Sequence, residues 1–252
     1  MELGNISASD KVLDAGCGVG GSALFLAENK QAKVTGITLS SKQVELAKQS
    51  ADRKKLTHKV DFFLMDYTHT SFEDESFDVV WACESASSVT DKSLFIKEAF
   101  RVLKKGGRLI LSDFFQTTGN QPDKHEWIKK WGATWGISGF DTRDSFVEKL
   151  NKQGFNNIKS FNYTEKIYKS AKRMYYASLL GAIPSELYNL THPNVSPFAK
   201  THYKCGYYQY KALQNGLWKY HIILAVSKTV KGSLGFVPTF CVKPWSRSIL
   251  QK

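Results

Sequence analysis

The chain has 252 residues, 42% of them hydrophobic, and carries a net charge of +12 with a sequence pI ≈ 9.4; this suffices for one sizeable α/β domain with an inserted cap. No apolar stretch reaches the roughly 18 residues of a membrane span, and the N-terminus has no signal-peptide pattern. Cys17, Cys83, Cys205 and Cys241 show no Cys-x-x-Cys spacing and the six histidines are scattered, which argues against a metal site or a disulfide framework and leads us to expect a cytoplasmic protein.

The predicted elements alternate between strand and helix. Val12 to Ala15 is an apolar run fit for a buried parallel strand, Gly16, Gly18 and Gly20 follow at every second position, and Ser22 to Glu28 reads as a helix. A strand that turns through glycines into a helix gathers backbone N–H groups and a helix N-terminus at one point. Glycine belongs there because a side chain would block a ligand that must touch the backbone. Gly21 completes a Gly-x-Gly-x-x-Gly spacing, but the acidic partner of a dinucleotide site, about 20 residues on, is missing. Asp14 would repel a phosphate and attract an ammonium. The combination suits the zwitterionic end of S-adenosylmethionine, whose sulfonium would leave its methyl in the open cleft. A tight glycine turn in some other doubly wound protein is the alternative reading.

Residues 34–40 carry the second strand, with Thr38 at its tip. Val60 to Leu64 is the third strand, followed by Asp66 and Tyr67, and Phe77 to Trp81 is the fourth. Leu94 to Leu103 has helical spacing and is read as closing at Lys104-Lys105-Gly106-Gly107, cations and then glycine. Arg108 to Ser112 is the fifth strand. This alternation predicts an α/β fold with a parallel sheet wrapped by helices. Farther on, His125 to Trp135 is read as a helix whose Trp127, Trp131 and Trp135 form one aromatic face. Asp141 to Leu150 is a helix capped by Asp141 or Thr142, and Asn156 to Tyr163 is strand six. Lys166 to Tyr188 and Phe198 to Asn215 are tyrosine-rich helices, and Leu217 to Ser227 is the last strand. Residues 228–252 read as a flexible basic tail.

Charge divides the chain. Residues 1–113 sum to −1 and residues 114–252 to +13, and most of the aromatic residues lie in the second part. A basic, aromatic half fits a nucleic acid, an anionic membrane surface touched peripherally, or a small apolar acceptor with an anionic end; a merely solvated face is the plainer account. The tryptophan stripe likewise reads either as core packing or as a lid over a flat or isoprenoid acceptor.

With these motifs in this order, the chain resembles the class I S-adenosylmethionine-dependent methyltransferases, strongly over residues 11–115 and more weakly to about residue 228. The resemblance implies a Rossmann-like, seven-stranded, mostly parallel sheet with strand seven antiparallel and helices on both faces. A single domain over residues 1–227 would carry helical acceptor-binding cap elements at about 116–140 and 165–215. It also implies S-adenosylmethionine as cofactor, held by Asp14, Gly16, Cys17, Gly18 and Gly20. Thr38, Leu39 and Gln43 would lie at the ribose, and Asp66 and Tyr67 at the adenine, with Cys83 beside the site. Many members have an acidic residue at Thr38; threonine followed by Leu-Ser and Gln43 looks like the branch of cyclopropane-type lipid, terpenoid and sterol C-methyltransferases. The loop Glu84 to Asp91 is similar to the Glu-Ser-x-x-His-x-x-Asp segment of tocopherol and natural-product methyltransferases, with Ser88 where those relatives carry histidine. That departure weakens a phenol O-methylation through a histidine base and leaves Glu84, with Ser88, as the catalytic candidates; holding the loop is Glu84's other reading. Trp127, Trp131, Trp135, Tyr175 and Tyr207 are the candidate acceptor contacts, and no metal is implied. Relatives of this branch carry further helices before the first strand, where this chain has ten residues. A truncated product and an unusually open cofactor site are the two readings of that.

The expected function is transfer of a methyl group to a small lipophilic acceptor, isoprenoid, sterol-like or natural-product in type, by in-line displacement. An RNA-directed methyltransferase and a non-catalytic cofactor-binding protein are the alternatives. The first is disfavoured because neither the Asn/Asp-Pro-Pro-Tyr/Phe loop nor the Pro-Cys nucleophile of nucleic-acid enzymes occurs.

Overall fold

The computed structural model describes residues 4–137 and 139–227; the predicted basic tail, 228–252, lies outside the described residues. Seven strands form one sheet: β1 Lys11–Ala15, β2 Lys33–Thr38, β3 Val60–Leu64, β4 Phe77–Cys83, β5 Leu103–Gln116, β6 Asn156–Asn162 and β7 Trp218–Val226. Their order is β3-β2-β1-β4-β5-β7-β6. The strands β1 to β5 pair in parallel, and β7 runs antiparallel to both β5 and β6. The order reverses between β1 and β4, so the carboxyl ends of these two strands open the crevice where ligands of such sheets bind. The sheet is Rossmann-like, as the resemblance implies.

The helices are α1 Gly21–Lys30, α2 Ser41–Arg53, α3 Lys92–Val102, α4 Trp127–Trp135, α5 Arg143–Gln153, α6 Thr164–Thr191, α7 Pro197–Thr201 and α8 Cys205–Gln214. On one face of the sheet α3 and α5 cover a core built around Phe77, Phe95, Leu109 and Phe146. On the other, α1 and α2 cover Val12, Leu26, Val34 and Phe62. A third core gathers α4, α6 and α8 around Trp131, Tyr210 and Trp218, beside the ends of β5 and β7. Among the described residues no helix is long and apolar enough to cross a membrane.

Of the boundaries that differ from expectation, three have identifiable reasons. The helix expected to close at Lys104–Gly107 ends at Val102, because Leu103 already pairs with Phe77 in the sheet. The residues 104–107 are then taken up as a bulge between that pair and Val79↔Arg108, with Gly106 at φ +75°. The α4 helix starts at Trp127, two residues late, because the Asp123 carboxylate accepts from the N–H groups of Trp127 and Ile128, both at 2.9 Å. The single helix expected over 198–215 is broken into α7, a 3-10 turn at His202–Lys204, and α8. There the chain bends to meet two neighbours: His202 Nδ1 lies 2.9 Å from the Thr134 carbonyl, and a Cβ on Gly206 would stand 2.5 Å from the Met174 carbonyl oxygen. Such a close crossing of α8 over α6 admits only glycine.

Candidate functional site

The carboxyl ends of β1, β2 and β4 converge on the glycine turn. The N–H groups of Gly16 and Cys17 both donate to the Ile37 carbonyl, at 3.0 and 2.9 Å, and tie the turn to β2. Two of its glycines serve different ends. Gly20, at φ +86°, could not carry a Cβ without coming within 2.9 Å of the Phe62 ring and 3.0 Å of Ala47. Gly18, at φ +54°, faces open space, with nothing within 4 Å of a Cβ position. Alanine at Gly20 is therefore expected to lower stability by about 1–3 kcal/mol through overpacking, read as a shift in denaturation midpoint. Alanine at Gly18 should cost only about 1–2 kcal/mol of backbone strain yet weaken a ligand seated on the turn by about tenfold or more, since it would replace about 1.4 kcal/mol or more of close backbone contact. Calorimetry on both variants separates the two roles.

Asp14 sits at the end of β1, 1% exposed. Its carboxylate accepts from the Ala23 N–H in the first turn of α1, but burial raises its pKa to about 7. Its Oδ2 has no hydrogen-bond partner. A buried carboxylate oxygen without a donor is costly, and the group is satisfied only when a cation or donor is brought to it.

At the tip of β2 the Thr38 hydroxyl donates to Gln43 Oε1 at 2.6 Å, and Ser40 caps α2 by accepting from the Gln43 N–H. This pins the Gln43 amide group beside the strand end, while Leu39 is exposed. After β3, one oxygen of Asp66, Oδ1, accepts from the N–H and hydroxyl of Thr68 in a local turn. The Tyr67 hydroxyl donates to the Ser85 carbonyl at 2.7 Å, and its ring meets Phe95 edge-on. Ser85 in turn donates to the Ala15 carbonyl at 2.6 Å, so the loop after β4 is bolted to the end of β1.

Glu84 opens that loop in the left-handed region, at φ +54°, a conformation that costs a non-glycine residue about 1–2 kcal/mol. Its N–H donates to the Ser112 carbonyl, and its carboxylate accepts from the Tyr220 hydroxyl at 3.1 Å. Although its surface is open to solvent, the protein packed around it desolvates the carboxyl and lifts its pKa, with Asp113 adding to the rise. Asp113, on β5, is fully enclosed: it accepts from the N–H groups of Ser87 and Phe114, and burial lifts it to about 6. Three carboxyls, Asp14, Glu84 and Asp113, thus surround the half-buried Cys83, whose thiol is pushed up by burial first and then by all three. Lys92 is the cation nearby, and its ammonium is spent on the carbonyls of Ser87, Val89 and Gly139. In a chain of net positive charge, this edge of the sheet is a local trap for a cation.

Ser88 is exposed, its N–H donating to the Ser85 carbonyl. Of the aromatic candidates, Trp131 is 0% exposed, stacked on Phe140 with centroids 4.5 Å apart and packed against Phe114 and Trp218. With no accessible surface it serves as packing, the plainer account of that position. Trp127 and Trp135 are half-buried at the two ends of α4; Trp127 meets Tyr207, which stacks on Tyr175. Sequence reasoning missed Tyr220, Asp113 and Lys92. The antiparallel last strand offered the signal for Tyr220, since its beginning must lie at the edge where β5 ends, and Tyr220 pairs with Phe114.

Sheet order, glycine turn and acidic edge together define the class: the fold is that of the class I S-adenosylmethionine-dependent methyltransferases. Residues 13–111 match the family described as methyltransferase domain. The chain is 34% identical over 163 residues to tocopherol O-methyltransferase, chloroplastic, of Arabidopsis thaliana, covering 62% of this chain and 47% of that protein. It is 36% identical over 156 residues to 2-methyl-6-phytyl-1,4-hydroquinone methyltransferase of Synechocystis sp., covering 60% and 48%. The structure superposes on geranyl diphosphate C-methyltransferase from Streptomyces coelicolor A3(2), solved with Mg2+, geranyl diphosphate and S-adenosyl-L-homocysteine, with TM-score 0.69 and 21% identity, covering 89% of this chain and 75% of that one. The chain thus has the fold of the class I methyltransferases, and its sequence is similar to tocopherol, sterol and natural-product methyltransferases. It spans about half the length of the curated relatives it matches.

Proposed function

We propose that the chain transfers the methyl group of S-adenosylmethionine to a small lipophilic acceptor. The observation that carries the reading is the unpartnered, buried Oδ2 of Asp14 beside the open-faced Gly18: a carboxylate in want of a cation, next to backbone that a ligand can touch. When bound, the cofactor supplies an electrophilic methyl on a sulfonium, together with an ammonium and a polar nucleoside. Asp14 would take the ammonium, the turn Gly16 to Gly20 with Cys17 would lie along the amino-acid part, and Gln43, oriented by Thr38, would reach the ribose with Leu39 alongside. Asp66 has its second oxygen for the adenine amino group, and Tyr67 and Cys83 would line the same cleft. The three carboxyls favour a cationic ligand over a neutral one.

On the acceptor side, Glu84 is the group placed to accept a proton, and its raised pKa brings it nearer to working pH, where a general base is most effective. Ser88 lies on the same loop as a polar contact. The half-buried Trp127, Trp135, Tyr175 and Tyr207 would supply apolar, flat surface for an isoprenoid or ring, and the third core supports a reading of cap elements at about 116–140 and 165–215 within one domain over 1–227. The relatives named above act on tocopherol-type quinols and geranyl diphosphate, which supports this acceptor class. We further propose a cytoplasmic setting, in keeping with the free Cys17, Cys83 and Cys205; one relative, by contrast, is chloroplastic.

The test is incubation with methyl-labelled cofactor and separate pools of prenyl diphosphates, sterols, tocopherol precursors and RNA. Label should appear in a product of one of the first three pools, extractable into organic solvent directly or, for the diphosphates, after phosphatase treatment. Label in RNA alone, or tight cofactor binding with no transfer to any pool, would overturn the reading.

A further inference from the structure

Exposed large apolar side chains are scattered singly over most of the molecule, the usual state of a protein surface, but α6 departs from this. Tyr176, Leu179, Leu180, Ile183, Leu187 and Leu190 are all exposed, Leu180 at 81% and Leu190 at 78%. Their spacing of three and four residues places them on one side of the helix, opposite the buried Ala171 and Ser178 that face the third core. The stripe runs over four turns, about 20 Å at 1.5 Å per residue.

The first half of the same helix carries Lys166, Lys169, Lys172 and Arg173, all exposed. At 100° per residue, Lys169 and Arg173 share the outward direction of Leu180 and Leu187, with Lys166 and Lys172 flanking them. Among the described residues none of these four has an ion-pair partner. Only two acids lie on the helix, Glu165 at its start and Glu186, and the latter is engaged by Tyr203 and Lys204. One surface therefore presents unpaired cations leading into bare aliphatic side chains, with Tyr176 at the junction.

A second copy of the chain would not satisfy the whole of this face. A parallel pairing sets cations against cations, an antiparallel pairing in full register sets them against the partner's leucines, and an offset antiparallel pairing covers the leucines but leaves the cations unmatched. What complements both halves at once is a lipid bilayer surface with anionic headgroups: the headgroups meet Lys166, Lys169, Lys172 and Arg173, and the acyl boundary takes the leucines, with tyrosine at the level between.

We propose that the outward face of α6 is a docking surface for an anionic membrane, on which the protein lies peripherally. The inference does not depend on methyl transfer and goes beyond it.

The experiment is flotation of the whole chain with vesicles of phosphatidylcholine alone and of phosphatidylcholine containing one third phosphatidylglycerol, at low and high salt, with the mass in solution measured by light scattering. Binding to the anionic vesicles, weakened by salt, is expected. Replacing Leu180, Ile183 and Leu187 together by serine should lower it at least about tenfold, and K169E, K172E and R173E together should lower it roughly a hundredfold, with unchanged thermal midpoints since every side chain altered is exposed. No binding to anionic vesicles, or binding indifferent to the serine variant, overturns the proposal. So does a dimer in solution that the serine variant splits, which would make the stripe a contact between copies.

Discussion

Asp14→Asn should weaken S-adenosylmethionine binding by about 30- to 5,000-fold, the roughly 2–5 kcal/mol that truncating one partner of a buried charge pair costs, while making the ligand-free protein more stable at neutral pH. The two effects have one cause. Burial raises the Asp14 carboxyl from 3.8 to about 7, so the folded chain holds that proton more tightly than the unfolded chain does. The contribution to stability is full below about pH 4 and is lost as pH rises through 7. Asparagine keeps the shape and cannot ionise, so above neutrality the variant avoids the cost of a buried, half-satisfied anion. For a chain of this size each kcal/mol recovered lifts the melting midpoint by about 2–4 °C, and the gain should vanish near pH 4. Binding of the cofactor's ammonium pulls the same pKa down, so titration of the wild type near pH 6.5 should release protons, seen as a buffer-dependent enthalpy, and the variant should release fewer. A variant that binds as tightly as the wild type would remove Asp14 from the cofactor site.

The first half of the molecule was largely legible in the sequence because its elements are local. The apolar run at Val12, the glycine spacing and the run at Phe77 each declare themselves within a few residues; β3 and β4 begin where the runs begin, and β1 one residue earlier. Helix α2 is equally visible in principle: Ser40-x-x-Gln43 is a capping pattern ahead of Val44, Ala47 and Ala51, whereas the family resemblance points to Gln43 only as a ligand contact. In the structure it serves the cap with its N–H and Thr38 with its side chain.

What sequence spacing could not supply was pairing across the sheet. The bulge at Gly106 exists because Leu103 and Arg108 both find partners on β4, and nothing local to Lys104-Lys105-Gly106-Gly107 distinguishes that from a helix end. The bond between Tyr220 and Glu84 joins residues far apart in the chain and follows only from the register of β7 on β5. The same holds for Lys92, whose three carbonyl partners come from two loops, and for the break before Cys205, which is set by how closely α8 crosses α6. The tryptophan stripe was seen as a stripe, but only the packing of Phe114, Phe140 and Trp218 decides that its middle member is enclosed while its ends are half-open.

Glu84→Gln should lower kcat about 100- to 10,000-fold, the usual worth of a positioned general base, with a far smaller loss of cofactor affinity from the missing charge. A non-glycine residue at φ +54°, on the loop fixed by Ser85 and Tyr67, is kept at a cost, and such outliers gather where function over-determines the backbone. Glutamine preserves the side-chain shape and the Tyr220 contact but cannot take a proton. The wild-type rate should therefore rise with pH on a limb set by Glu84, above the ordinary carboxylate range because burial and Asp113 raise it, and this limb should be absent from the variant. Tyr220→Phe supplies the discriminating measurement. The tyrosine hydrogen bond favours the ionised carboxylate and lowers its pKa, so its loss should move the limb to higher pH while leaving the rate on the alkaline plateau within a fewfold of wild type. If Glu84 only holds the loop, glutamine will retain kcat, and neither variant will move the profile; the proton would then leave the acceptor to water, as an amine or thiol acceptor would allow.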